Sequence, residues 1–384
     1  MIVTHLNLTD FRNYEHLDVE LHRGPNLFVG SNGQGKTNLV EALGYLSTLG
    51  SHRVSVDHAM IRQGQDSAIV RARIAHEERE MLAEVQINRS GANRAQVNRS
   101  AIKTRELPRY FSSVLFAPED LALVRGEPSG RRRFLDELLI LRTPRMSAVV
   151  ADYERVLRQR NTLLKTARNA RGDLSTLDIW DERLVTLGSE IIIARSWLVD
   201  ELSPEVTRAY ASIAGADHAA RLTSQLSIFS STTEDDAEDA AATRAGALEL
   251  PVVADGFRAA LARLRRAELD RGVTLAGPHR DDLVLELNQL PARGYASHGE
   301  SWSFALALKL ASAAVLRREA AAGDPVLILD DVFAELDESR RGRLANAVRD
   351  FEQVLITAAV FDDVPEELAS HVVRIRAGKV VDDE

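Results

Sequence analysis

The 384-residue sequence contains no cysteine. Disulfide scaffolds, thiolate zinc sites, iron–sulfur clusters and a cysteine nucleophile are therefore excluded. No basic segment followed by an apolar one stands at its start, so we expect no signal peptide. The longest apolar stretch, 304–316, contains Lys309 and is shorter than the roughly 20 residues that span a bilayer. We expect a cytoplasmic protein with no membrane partner.

Positive charge is also scarce, since 48 basic residues face 57 acidic ones and the net charge is −9. Such a balance argues weakly against nucleic acid as a partner. The charge is uneven, however, with +5 over 89–109 and +7 over 121–171, against −5 over 231–250 and −8 over 324–384. Arginine dominates the basic residues, which suits phosphate contacts but also follows from a genome rich in G and C. The candidate DNA contacts are Arg94, Arg99, Lys103, Arg105, Arg131, Arg132 and Arg133.

Hydrophobic periodicity divides the chain into strand-rich ends and a helical middle. Period-two patterns predict strands over 2–8 and 17–21, and strand-like runs predict further strands over 68–74, 81–87, 96–97, 283–287, 326–329 and 354–356. Helical patterns predict helices from Met146, from Leu177, after Pro204, over 255–269 and over 302–318. We expect an α/β fold in which 1–117 and 271–384 form one discontinuous domain. Residues 118–270 would form a helical arm, with a flexible acidic loop at about 231–246.

A phosphate-binding pattern follows the apolar run Leu27–Val29. The residues Gly30, Ser31, Asn32, Gly33, Gln34, Gly35, Lys36 and Thr37 match G-x-x-x-x-G-K-[ST], and a helical segment follows them. In this pattern backbone N–H groups converge on phosphate oxygens, the lysine holds the β and γ phosphates, and the threonine hydroxyl binds Mg²⁺. The sequence therefore predicts an ATP and Mg²⁺ site with Lys36 as a catalytic residue.

A second apolar run, 325–329, delivers two carboxylates at its end, Asp330 and Asp331. Ligands bind at the carboxyl ends of strands in parallel sheets. We expect Asp330 to hold Mg²⁺ and Asp331 to act as the catalytic base that orients water. The 294 residues between Lys36 and Asp330 exceed what a compact P-loop domain needs, so the helical segment is an insert.

Two further loops narrow the class. Ser297, Gly299 and Glu300 precede a helix about 30 residues before Asp330, and Asp337 follows shortly after Asp331. Their order and spacing resemble the signature loop and D-loop of ABC-type ATPases. The resemblance implies an ABC-type P-loop ATPase head with an inserted α-helical arm. It also implies an ATP-dependent homodimer, in which the signature loop of one subunit contacts the γ-phosphate held by the other.

The insert is too long for a transporter subunit and too short for an SMC coiled coil, and the motifs resemble the RecF family. The resembling segments are 8–14, 30–38, 116–121, 131–136, 276–282 and 329–337. The resemblance implies binding to single-stranded, gapped or junction-containing DNA, work with RecO and RecR in loading RecA, support of SOS induction, and slow, DNA-dependent ATP hydrolysis. It implies a role in recombinational gap repair and replication restart.

The sequence departs from the ABC pattern in several places. Glu300 replaces a common glutamine, Asp331 replaces a glutamate, Thr357 replaces the switch histidine, and no glutamine near 116–120 marks a Q-loop. Some roles stay open. Arg12 and Asn13 either reach the nucleotide or form a turn. Arg131–Arg133 contact DNA or another subunit, or begin a salt-bridged helix. Residues 279–282 form a metal or catalytic cluster, or a structural hinge.

Two functions of other classes remain. An ATPase subunit of a membrane transporter would co-purify with an integral membrane protein, and DNA would not change its ATPase rate. A DNA-binding scaffold with a vestigial nucleotide site would keep its DNA residence time with ATP after a Lys36→Arg change.

Overall fold

The computed structural model describes residues 1–170, 176–215, 218–230, 248–319 and 323–381. The chain divides into two compact units. The first unit comprises Met1–Arg125, Pro204–Ala220 and Ala292–Glu384, and the second comprises Gly126–Ser203 and Arg221–Pro291. The acidic loop expected at 231–246 lies outside the described residues.

A six-stranded antiparallel sheet forms one layer of the first unit, in the order β2-β1-β4-β5-β6-β7. Its buried side chains come from one face of each strand, as the period-two pattern predicts. The strands are β1 (Ile2–Phe11), β2 (Tyr14–Glu20), β4 (Ser67–His76), β5 (Arg79–Asn88), β6 (Arg94–Val97) and β7 (Ser100–Ile102).

A second six-stranded sheet has the order β15-β14-β3-β13-β12-β8, and its five strands from β14 to β8 are parallel. Helix α1 (Lys36–Thr48) contacts strands of both sheets, so its apolar residues complete the core between them. The strands are β3 (Gly24–Val29), β8 (Ser113–Phe116), β12 (Val326–Asp330), β13 (Gln353–Ala358), β14 (Val372–Arg376) and the antiparallel β15 (Lys379–Val381).

Four further helices belong to the first unit: α2 (Leu121–Arg125), the kinked turn α7 (Ala292–Tyr295), α8 (His298–Glu319) and α9 (Glu338–Val348). Helix α8 is buried on most sides, which explains its near-continuous apolar sequence. Tyr210 packs edge-on against Phe304 of α8, with ring centroids 5.7 Å apart.

The second unit is mainly helical. It holds α3 (Pro128–Arg142), α4 (Met146–Ala170), most of α5 (Leu177–Ala214), α6 (Leu250–Arg271) and a three-stranded sheet in the order β11-β10-β9. The strands of this sheet are β9 (Ala220–Gln225), β10 (Asp282–Leu287) and β11 (Leu290–Pro291).

A buried ion network joins three helices of this unit. Arg160 of α4 is 0% exposed, and its guanidinium donates to Asp181 of α5 at 2.7 Å and to Glu268 of α6 at 2.6 Å. Its remaining nitrogen donates to Thr274 Oγ1 at 2.8 Å. Each partner is needed, because a buried charge that loses its counter-charge is strongly destabilising.

Several sequence-based boundaries differ from the structure. A separate helix after Pro204 is wrong, since α5 continues through this proline. Proline removes the N–H that would bond to the carbonyl of Asp200, yet the helix runs on from Pro204 to Ala214. Helices α6 and α8 begin earlier than predicted, at Leu250 and His298.

The domain limits also differ in position. Residues 118–125 and 204–220 group with the first unit, and 271–291 group with the second. The two compact units are therefore not the same segments as the predicted head and arm, and the predicted limits at 117/118 and 270/271 stay a prediction. Within the described ranges, no helix combines the length and apolar composition needed to cross a bilayer.

Residues 277–282 form a polar core of the second unit. His279 Nδ1 is 2.7 Å from the Tyr153 hydroxyl, Asp281 Oδ1 accepts from Ser227 N and Oγ, and Arg195 donates to Pro278 O at 2.7 Å. Across the described residues, no group of three His, Cys, Asp or Glu side chains is arranged to hold a metal. Of the two roles considered for residues 279–282, these contacts favour a structural role over a metal or catalytic cluster.

Burial lowers the pKa of His279 to about 4. The unfolded chain, with a histidine pKa near 6.5, takes up the proton first as pH falls. The contribution of His279 to stability is thus full above pH 6.5 and is lost as pH falls towards 4. Between pH 7 and 5 this loss is about 2 kcal/mol. Unfolding free energies of the wild type and His279→Gln, compared at the two pH values, should show it.

Burial raises the pKa of the neighbouring Asp281 to about 6, which gives the opposite slope with pH. For this reason the measurement compares the variant with the wild type at each pH, so that the Asp281 contribution cancels. The exposed His16→Gln change is the matched control and should leave the slope unchanged. An equal slope for His279→Gln and the wild type would contradict the prediction.

Candidate functional site

The parallel sheet places the two motif loops at one edge. Asp330, the last residue of β12, pairs in register with Thr357 of β13, which pairs with Phe28 of β3. The P-loop leaves β3 two residues later, at Gly30. Because carboxyl ends of parallel strands meet at one edge, the lysine loop and the carboxylates come together although the motifs are 294 residues apart in sequence.

Three hydrogen bonds from other segments hold the P-loop in place. Asn13 Nδ2 donates to Gln34 O at 3.2 Å, the Tyr14 hydroxyl donates to Gly35 O at 3.0 Å, and the N–H of Ala377 donates to Gln34 Oε1 at 2.6 Å. Gly35 has φ +118, and a Cβ there would lie 2.8 Å from the Tyr14 hydroxyl. Only glycine fits this close, left-handed position without strain.

Lys36 lies folded over the loop. Its Nζ donates to Gly30 O at 2.6 Å and to Ser31 O at 3.2 Å, and the residue is 5% exposed. Burial lowers the pKa of Lys36, and the nearby carboxylates of Asp331 and Asp330 oppose that shift. The ammonium therefore sits where a phosphate could replace the two carbonyl partners.

Two hydroxyl groups hold the carboxylate of Asp330. Thr37 Oγ1 donates to Asp330 Oδ1 at 3.0 Å, and Thr357 Oγ1 donates to the same oxygen at 2.6 Å. Burial raises the pKa of Asp330, while both hydroxyl hydrogen bonds lower it. Thr357 Oγ1 also accepts from the backbone N–H of Asp331 at 2.9 Å, so this residue contacts the Asp330 carboxylate and the backbone of Asp331.

We expect Thr357→Val to lower the free energy of unfolding by about 1–3 kcal/mol, because it removes the shorter of the two hydroxyl hydrogen bonds to the buried Asp330 carboxylate. The Asp331 N–H keeps its bond to the backbone carbonyl of Thr357. Thr357→Ser keeps the hydroxyl and is the matched control, with a smaller loss. Denaturant unfolding of the three proteins measures the difference. Equal losses for valine and serine would show that the hydroxyl contributes nothing.

A cavity of about 420 Å³ opens beside these groups. Its lining residues are Asn32, Gly33, Gly35, Lys36, Thr37, Asn38, Arg53 and Asp331. Sequence reasoning placed six of them there but missed Asn38 and Arg53. Arg53 Nη1 donates to Asn38 Oδ1 at 2.8 Å. Both residues lie close to the P-loop or to the end of α1 in sequence, but no periodic pattern marks them as residues of the site.

The donor set at this cavity fits Mg²⁺. The Thr37 hydroxyl and the Asp330 carboxylate stand together, and Asp331 Oδ1 is buried without a hydrogen-bond partner. Magnesium in nucleotide sites takes one or two protein oxygens and completes its shell with phosphates and water. A full protein cage is not needed, in agreement with the lack of a three-residue ligand cluster in the described parts of the chain.

Arg12 and Asn13 support the loop rather than line the cavity. Arg12 Nε donates to Glu41 Oε2 at 2.8 Å, and its Nη1 donates to Ala59 O at 3.0 Å. Asn13 Oδ1 accepts from Asn38 Nδ2 at 2.8 Å. The structure thus pairs the Arg12 guanidinium with buried Glu41, and a contact of Arg12 or Asn13 with the nucleotide stays a prediction.

The segment predicted to be the signature loop begins α8 with a reciprocal cap. Ser297 N donates to Glu300 Oε2 at 2.7 Å, and Glu300 N donates to Ser297 Oγ at 3.3 Å. The hydrogen bonds from Ser297 lower the pKa of Glu300. This capping box explains why a glutamate serves where relatives of the ABC class carry glutamine.

The D-loop lies beside the signature loop. Asp337 caps α9 by accepting from Arg340 N at 2.9 Å, and its carboxylate is 3.3 Å from Arg340 Nη1. A Cβ on Gly299 would come within 2.6 Å of that same Nη1. These loops contribute none of the residues that line the cavity.

The basic candidates fall into two sets. Arg94, Arg99, Lys103 and Arg105 are exposed on and beside the edge hairpin β6–β7 of the antiparallel sheet. Arg131 is 4% exposed and forms a two-pronged ion pair with Asp282, at 2.7 and 2.9 Å. Of the alternatives for Arg131, this ion pair favours the salt-bridged helix start. Arg132 donates to Asp281 O, and Arg133 is exposed beside Glu137.

The family model for the RecF/RecN/SMC N-terminal domain matches residues 2–379. The chain belongs to the RecF family. It is 66% identical to the DNA replication and repair protein RecF of Leifsonia xyli subsp. xyli, over 100% of both chains. It is also 66% identical to the protein of that name from Clavibacter sepedonicus, over 100% of this chain and 95% of the other.

Solved structures agree with this membership. The "Structure of the recombination mediator protein RecF-ATP in RecFOR pathway" is 27% identical, with a TM-score of 0.87 over 100% of this chain and 97% of the other. An Smc head domain from Pyrococcus yayanosii has a TM-score of 0.55 at 14% identity, over 100% and 97% of the two chains. The RecF-family fold is therefore a mixed α/β head of the ABC type with a helical arm.

Proposed function

We propose that this chain is an ATP-controlled DNA-binding protein of DNA replication and repair. The observation that carries the proposal is that Lys36, Thr37 and Asp331 line one cavity, and that the Thr37 hydroxyl donates to the carboxylate of Asp330. The family relatives named as DNA replication and repair proteins support the process, and the solved RecF-ATP structure supports the nucleotide.

Lys36 would release Gly30 O and Ser31 O and hold the β and γ phosphates, while Thr37 and Asp330 would hold Mg²⁺. The metal, when bound, neutralises phosphate charge. Asp331 Oδ1, buried and without a partner, would accept a proton from the attacking water. The short aspartate holds that water poorly, which suits a slow hydrolysis that resets a switch.

The signature and D-loop surface would complete the site of a second copy. Ser297, Glu300 and Asp337 make helix-capping hydrogen bonds, and neither they nor Gly299 line the cavity of their own chain. ATP would then join two heads into a homodimer that acts as a clamp on single-stranded, gapped or junction DNA. RecR and RecO are the proposed protein partners. The proposed outcome is loading of RecA and support of SOS induction, and the proposed location is the cytoplasm.

DNA contact is assigned to the β6–β7 hairpin. Replacing Arg94, Arg99, Lys103 and Arg105 together by glutamine should weaken DNA binding and reduce the slope of log K against log salt by about 2–4, because each lost phosphate contact removes roughly 0.7–0.9. Fluorescence anisotropy with gapped DNA and Mg-ATP measures this slope.

A charge-matched control removes four exposed cations from the other unit: Arg155, Arg158, Arg183 and Arg258. The control should change the slope by less than half as much. Equal slopes for both variants would mean that net charge, and not the hairpin, determines binding, and would remove the hairpin from the proposal.

A further inference from the structure

A short turn after α1 returns the chain to the candidate site. Ser51 Oγ donates to Glu41 and accepts from the N–H groups of Arg53 and Val54 at 3.0 and 3.1 Å, so the turn is fixed. The side chain of His52, held inside this turn, is 15% exposed. Its Nε2 lies 3.9 Å from Asp330 Oδ2.

The His52 Nε2 atom is buried and has no hydrogen-bond partner. Buried polar atoms nearly always have one, so each exception calls for an explanation. Both hydroxyl bonds to Asp330 end on Oδ1, which leaves Oδ2 as the carboxylate oxygen that faces the imidazole. The two groups are thus adjacent, and a small closure would bring them into contact.

We propose that His52 is a positioning residue that orients Asp330 for Mg²⁺. Its Nε2–H donates to Asp330 Oδ2, while Thr37 and Thr357 hold Oδ1, so the carboxylate plane is fixed at both ends. Groups that hydrogen-bond to a metal ligand typically change metal affinity by 10–100-fold when removed. The inference rests on the proposed nucleotide site and adds to it a residue that touches neither nucleotide nor metal.

A merely space-filling histidine would behave differently from a donor. Glutamine extends its amide nitrogen about as far as Nε2, whereas asparagine ends about where Nδ1 stands. The test therefore uses His52→Gln, His52→Asn and His52→Ala, with exposed His16→Ala as the control. The measurement is the Mg²⁺ concentration that gives half-maximal binding of a fluorescent ATP analogue, together with binding in EDTA.

We expect His52→Ala and His52→Asn to raise the half-maximal Mg²⁺ concentration by about 10-fold or more, and His52→Gln to stay within about threefold of the wild type. Binding in EDTA should be the same for all. If the alanine variant does not fold, the glutamine and asparagine pair decides alone.

An unchanged Mg²⁺ requirement in His52→Ala, or equal shifts for glutamine and asparagine, would overturn the positioning role. Failure of the proposed function has another outcome: the wild type itself would bind the analogue no better with Mg²⁺ than in EDTA. The two failures are therefore distinguishable in one set of titrations.

Discussion

A Lys36→Ala variant should lose ATP binding and hydrolysis by at least about 100-fold, since one preorganised cation aimed at transferring phosphate contributes this much. In the structure the Lys36 ammonium is partly buried and already paired with two loop carbonyls, Gly30 O and Ser31 O. Its removal leaves the site without the group that we propose holds the β and γ phosphates. Equilibrium binding of ATP and the rate of phosphate release measure the loss.

The control for this prediction is Lys379→Ala, which removes an exposed lysine of β15. Both variants should melt within a few degrees of the wild type, because neither lysine pairs with a carboxylate in the described ion pairs. Hydrolysis at the wild-type rate in Lys36→Ala would mean that the activity comes from another site.

An Arg160→Met variant should lose about 3–5 kcal/mol of unfolding free energy, because it leaves the buried carboxylate of Glu268 without its cation, while Asp181 keeps its ion pair with Arg265. Glu268 is 0% exposed, and its only described cation partner is Arg160. The loss should appear in the unfolding of the second unit, followed by circular dichroism in denaturant at pH 7.

The exposed Arg155→Met change is the matched control. Arg155 pairs with Asp152 on the surface, and such a pair contributes at most about 1 kcal/mol. Adding Glu268→Gln to Arg160→Met should recover part of the loss, since it removes one orphaned charge. A loss below about 1 kcal/mol for Arg160→Met would contradict the account of this network.

The local part of the site was readable from the sequence. The P-loop follows the spacing G-x-x-x-x-G-K-[ST], which serves phosphate binding, and the Asp330–Asp331 pair ends an apolar run. An apolar strand precedes each motif. The sequence marks Thr357 only as a replacement for the switch histidine of the ABC pattern. Its role became visible when the register placed it beside Asp330, 27 residues away in sequence.

Burial and long-range pairing were not readable. The sequence shows three arginines at 131–133 but not that Asp282, 151 residues later, holds the first of them inside the fold. Likewise, Arg53 and His52 follow α1 in a turn with no period, so no local pattern assigns them to the cavity. Pro204 predicts the start of a new helix, because proline usually interrupts a helix, whereas α5 continues through it.

The central claim is that ATP is bound between two copies, and a mixing experiment tests it most directly. Lys36→Ala lacks a working P-loop, and Ser297→Arg lacks a working signature loop. Neither alone should form an ATP-dependent dimer or hydrolyse ATP, whereas a 1:1 mixture rebuilds one composite site per heterodimer. The account predicts that light scattering with Mg-ATP shows dimers only in the mixture and the wild type. Wild-type dimer formation and hydrolysis by Ser297→Arg alone would contradict it.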